Sequence, residues 1–77
     1  MNEIYIMGKL VNVKYFFIYK GKNTSFAKGY IEDNKQIIPI IAIDKIADKM
    51  YVNNNKLVIT NGSFFNNKII IKEIESI

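Results

Sequence analysis

Between Gln36 and Tyr51 the chain reads QIIPIIAIDKIADKMY, and a change of period inside this stretch decides the fold. Gln36 to Ile43 is nearly continuously apolar through Ile37, Ile38, Ile40 and Ile41, which reads as a strand. Its lone Pro39 argues for an edge or a bulge, because proline has no N–H to give to a ladder. From Asp44 onward the period changes. Ile46, Ala47 and Met50 recur at spacings of one, three and four, so they share one side of a short helix running from Lys45 to about Tyr51. Asp44 is of the residue type that caps such a helix, and Asn53-Asn54-Asn55 ends it.

Strands flank this unit on both sides. Upstream, Glu3 to about Tyr19 is rich in Ile, Tyr, Val and Phe with no polar helix face, which reads as a long strand that bends, with Gly8 as the bend. Ile4, Ile6, Gly8 and Leu10 lie on one face of its first half and Tyr5, Met7, Lys9 and Val11 on the other, so both faces are largely apolar. Lys20-Gly21-Lys22-Asn23 is a polar, Gly-containing connection suited to a hairpin. The second strand, Thr24 to Glu32, puts Phe26, Lys28 and Tyr30 on one face and Ala27, Gly29 and Ile31 on the other. Asp33-Asn34-Lys35 makes a turn. Downstream, Lys56 to Phe65 is a fourth strand in which Asn61-Gly62 marks either a turn or a bulge, the bulge suiting a barrel better. Asn66-Asn67 is a two-residue hairpin loop, since Asn tolerates the left-handed backbone such turns need, and the fifth strand runs from Lys68 to about Ile74.

The order is strand, strand, strand, short helix, strand, strand: an all-β domain with one short helix, in the order of the five-stranded Greek-key OB-fold barrel. The 77 residues make a single domain, 1–77. Cys, His, Trp and Arg are absent, which excludes disulfides, thiol catalysis, Cys or His zinc sites and a Ser-His relay. The carboxylates, Glu32-Asp33 and Glu73 with Glu75 among them, fall in turns or on exposed strand faces, so no catalytic residue, metal site or cofactor is expected. No apolar run is long enough to span a bilayer and the amino terminus lacks a leader pattern, so a cytoplasmic location is expected.

Short stretches, in order, resemble the bacterial single-stranded DNA-binding protein family. MNEIYIMGKL is similar to that family's amino-terminal strand, IPIIAIDKIADKM to its third strand and helix start through Lys45, Ile46, Ala47 and Asp48, and KLVITNGSF to its fourth strand. Three departures accompany the likeness. No acidic-tipped tail follows Glu73-Ile74-Glu75-Ser76-Ile77, so recruitment through such a tail is not expected. With Trp absent, Tyr and Phe would have to stack the bases. The minimal, tailless domain also looks like primosomal replication proteins of the same fold. The resemblance implies an OB barrel that binds single strands and associates with itself through its first strands.

Eleven lysines against seven acids give a net charge of +4, which favours a polyanionic partner. Lysine neutralises phosphate without the fork that reads guanine, so binding without sequence preference is expected. An AT-rich genome would also impose many Lys, Ile and Asn, and charge alone settles nothing. An OB domain of this kind needs cations along a groove and exposed rings for base stacking. Lys28 between Phe26 and Tyr30 is the most specific such feature. Lys14, Tyr15, Phe17, Tyr19, Lys20 and Lys22 surround the first hairpin, and Phe65 and Lys68 flank the last. Parity with Leu10 puts Phe16 and Ile18 inward and Tyr15, Phe17 and Tyr19 outward, although a bulge after Gly8 would swap them. Of Phe64 and Phe65, one is expected in the core. Tyr5, Met7 and Val11 are assigned to self-association, as a homodimer or homotetramer. The expected function is therefore single-stranded DNA binding in replication or recombination of a genome or mobile element. RNA is the alternative strand, and an OB-like protein-interaction or assembly module is the alternative function.

Overall fold

The computed structural model of the chain describes residues 3–20 and 22–77, with the side chains of Tyr19, Lys20, Lys22 and Asn23 outside the described set. Its elements run β1 (Glu3–Lys20), β2 (Lys22–Asp33), β3 (Gln36–Ile43), α1 (Asp44–Val52), β4 (Leu57–Phe65) and β5 (Lys68–Ser76). The strands close into a barrel in the order β1-β2-β3-β5-β4, every neighbour antiparallel except β3 with β5. This is the five-stranded OB barrel that the element order implies.

One strand makes the closure possible. β1 pairs with β4 over Glu3–Lys9 and with β2 from Lys9 to Lys20, so it serves both sides of the barrel. Its irregularity lies between Val11 and Lys14, where Asn12 has φ 55°, and not at Gly8 as the sequence suggests. Asn takes this left-handed backbone more readily than the β-branched residues beside it, which places the bulge at Asn12. Gly8 has a different role. It is buried against β2, and a Cβ there would lie 2.3 Å from the Glu32 carbonyl oxygen. A second irregularity falls at Asn61-Gly62, where the sequence marks a turn or bulge, but the extra residue is Lys72 on the partner strand β5, since Asn61 pairs with Glu73 and Gly62 with Ile71.

The core is formed by Leu10, Ile31, Ile40, Val58 and Ile74 from the strands, with Ala47 and Met50 from α1 closing one end. Small Ala27 and Ala42 let the β2–β3 wall curve tightly. Buried Thr60 satisfies its hydroxyl by donating to the Ile6 carbonyl at 3.1 Å. The helix begins one residue earlier than expected, and Asp44 opens it with φ 55° and no side-chain cap. Pro39 sits opposite Tyr30 in the β2 ladder, while the parallel seam to β5 starts only at Ile40. The strand is thus flanked on both sides, yet it has no β5 partner at its proline. Asn66 and Asn67 both have positive φ and form the tight loop joining β4 to β5.

Since the atom in the way at Gly8 is backbone, the clash cannot be relieved by a rotamer change. Gly8→Ala is expected to destabilise the barrel by about 1–3 kcal/mol, read as a lower midpoint in denaturant unfolding. An unchanged midpoint would contradict the close approach of β1 and β2.

Candidate nucleic-acid interface

On the outer surface of β1, β2, β3 and the start of β5 lies a groove of about 810 Å³. Three lysines line it, Lys14, Lys28 and Lys68, with the rings of Phe26 and Tyr30 between them. The lining residues include no carboxylate. These five were read from the sequence, and strand pairing brings them together. Lys14 lies opposite Lys28, Val11 opposite Tyr30, and Tyr30 opposite Pro39. Like charges held directly across a ladder repel, so an anion over Lys14 and Lys28 would relieve a cost the bare sheet carries.

The bulge decides which side chains belong to this surface. By skipping a residue it reverses the parity of β1, so Phe16 and Ile18 face outward with Lys14, whereas Tyr15 and Phe17 fall on the other face, opposite buried Ala27 and Ser25. The sequence expectation from parity with Leu10 is corrected on this point. Phe16, 44% exposed, packs near Phe26 with ring centroids 6.1 Å apart and extends the aromatic surface past the groove. Phe64 and Phe65 are both exposed at the tip of the β4–β5 hairpin, so neither is core. Phe65 pairs with Lys68 just outside the groove. Tyr19, Lys20 and Lys22, also expected to bind, have side chains outside the described residues.

Tyr15 instead holds the helix to the barrel. Its hydroxyl donates to Asp48 Oδ1, and its ring lies 5.1 Å from that of Tyr51. Ser25 Oγ lies 3.1 Å from both Asp48 Oδ1 and the Asp44 carbonyl oxygen, sharing its hydrogen between them. The hydrogen bond to Asp48 raises the Tyr15 pKa above its ordinary 10.0, because ionisation would set two anions face to face.

Among the lining residues that the sequence did not mark for binding are Asn12, Asn54 and Pro39. Asn12 is the bulge. Asn54, read only as part of a helix terminator, accepts a hydrogen bond from Val13 N–H through Oδ1 at 3.3 Å. A run of three Asn was the available signal, because a residue that tolerates left-handed backbone can also present an amide. Gly29 lines the groove floor, where a Cβ would meet Val13 Cγ2 at 3.2 Å, so its lack of a side chain keeps β2 close under the bulge.

On the opposite flank, Tyr5 and Met7 are 69% and 56% exposed and stand beside Leu57 and Ile59 of β4, also exposed. Val11 lies apart from them, half-buried opposite Tyr30, which corrects its grouping with that patch. No helix among the described residues is long and apolar enough to cross a membrane.

A raised folded-state pKa means that the Tyr15 contribution to stability is complete below pH 10 and is lost as pH rises through the folded value. In a spectrophotometric titration Tyr15 is expected to ionise above its ordinary value, and Asp48→Asn to bring it back down. An unchanged titration in Asp48→Asn would refute the link. Comparison with models of protein families finds no match, and comparison with curated proteins finds none.

Proposed function

We propose that the protein binds single-stranded DNA without sequence preference, in the cytoplasm, during replication or recombination of a genome or mobile element. It acts as a binding protein and not as an enzyme. The observation that carries this reading is the acid-free groove, in which three lysines and two aromatic rings meet on the outer face of an OB barrel. The strand crosses β1, β2, β3 and β5, its bases stacking on Tyr30 and Phe26 and its phosphates meeting Lys14, Lys28 and Lys68. Three strand spacings of about 4.8 Å make a path of about 14 Å, which holds about four stacked nucleotides at roughly 3.4 Å each. That lies at the small end of OB-fold site sizes. The likeness of the sequence to single-stranded DNA-binding proteins supports the same reading.

The protein also associates with a second copy through the β1–β4 flank. Leu10 N–H donates to the Lys56 carbonyl at 2.9 Å and its C=O accepts from Asn55 N–H at 2.6 Å, both on the β4 side. By alternation, Tyr5 and Met7 turn their backbone groups to the other edge, where pairing with β2 begins only at Lys9. An open strand edge flanked by exposed Tyr5, Met7, Leu57 and Ile59 is a template for another chain.

Fluorescence anisotropy with a labelled oligothymidine, and RNA and duplex competitors, tests the first part. Three phosphate contacts predict a slope of log K against log salt of about −2, and Lys28→Ala is expected to flatten it by about 0.7. Phe26→Ala and Tyr30→Ala should each weaken binding by about 1–3 kcal/mol. Absence of binding at low salt would overturn the reading in favour of a protein-interaction module. Sedimentation tests the second part: Tyr5→Lys with Met7→Lys should yield a monomer, and a monomeric parent protein at micromolar concentration would refute it.

A further inference from the structure

The amide of Asn54 stands at the β1 end of the groove with its two ends in different circumstances. Oδ1 accepts from Val13 N–H at 3.3 Å, which orients the group. Nδ2 has no hydrogen-bond partner among the described residues, and Asn54 lines the groove that also holds Tyr30 and Lys14. The site therefore offers an oriented amide whose unpartnered group is its Nδ2 donor, beside the stacking surface. We propose that Asn54 Nδ2 makes the groove prefer bases carrying a carbonyl at the edge over bases carrying an amino group there. The inference rests on single-strand binding in this groove, and it adds a base preference that lysine and stacking contacts do not provide.

The chemistry follows from the base edges. Uracil and thymine present O4, an acceptor, whereas cytosine presents its N4 amino group at the same position, a donor. A fixed N–H donor pairs with the first and is left facing another donor by the second. Because Oδ1 is held by Val13, the amide cannot turn over to accept from cytosine without giving up that bond. One hydrogen bond of net value about 0.5–1.5 kcal/mol corresponds to a preference of roughly 2- to 10-fold. Pro39 and Lys68 carry no side-chain amide, so the preference acts on one base at the β1 end and leaves binding broadly tolerant of sequence.

The test compares oligodeoxyuridine with oligodeoxycytidine of equal length, which differ at the 4-position and in the N3 proton, without a methyl group intervening. The parent protein is expected to bind oligodeoxyuridine roughly 2- to 10-fold tighter. Asn54→Asp keeps an oxygen for Val13 N–H and turns the donor into an acceptor, so the ratio should fall to one or below while the salt slope keeps its sign. Asn54→Ala should remove the preference without reversing it. Equal binding of the two oligomers by the parent protein overturns the inference and leaves single-strand binding standing. A ratio unchanged in both variants does the same. Failure of the parent protein to bind either oligomer overturns both readings.

Discussion

The extra residue at Asn12 is the constraint from which both the barrel and its outer groove follow. A strand of β1's length cannot stay straight and pair with β4 at one end and β2 at the other; it must bend and twist between them. The bulge supplies that bend, and it also exchanges the two faces of the strand. Before it, Leu10 points into the core; after it, Lys14 and Phe16 point out, beside Lys28 and Phe26. Without the exchange, Tyr15 and Phe17 would occupy the outer face and Lys14 would be driven towards the interior, where an unpaired ammonium is costly. The same bulge frees the Val13 N–H that Asn54 captures, so the loop after α1 is tied to the rim of the groove.

Much of the architecture was legible in the sequence, because hydrophobic period and turn chemistry are local signals. The switch at Asp44, the alternation of Phe26-Ala27-Lys28-Gly29-Tyr30-Ile31 and the Asn66-Asn67 loop each fit the structure. The parity of β1 beyond Asn12 was not legible. A glycine and an asparagine both permit a break in a strand, and the distinction depends on which backbone approaches: Gly8 is needed because Glu32 lies against it, a long-range fact. The place of Tyr15 was hidden for the same reason, since its partner Asp48 lies 33 residues along the chain. Phe26, Lys28 and Tyr30 were readable as a set because they alternate on β2. Asn54 was not, because only the fold brings it to Val13.

The two flanks of the barrel differ in chemistry. The groove side combines lysines, rings and an oriented amide, with no acid in its lining. On the β1–β4 flank, Tyr5 and Met7 join Leu57 and Ile59, and across β4 lie Glu73 and Glu75 of β5. In the proposed function the single strand takes the first and a second copy the second, so the two partners do not compete for one surface. The Tyr15–Asp48–Ser25 cluster lies at the end of the barrel, on the face of β1 opposite the groove, and fixes α1 there. The Asp48 carboxylate there accepts from two hydroxyl donors, Tyr15 and Ser25.

The central claim is that one surface, the groove floored by β2 and bounded by the bulge, takes the single strand. Amide chemical-shift mapping by NMR, with oligothymidine titrated into isotopically labelled protein, tests it most directly. The account predicts that the largest shifts fall on Val13, Lys14, Lys28, Gly29, Tyr30, Ile41, Asn54 and Lys68, with Tyr5, Ile59 and Glu75 left unmoved. Shifts concentrated on the β1–β4 flank, or spread evenly over the barrel, would contradict it.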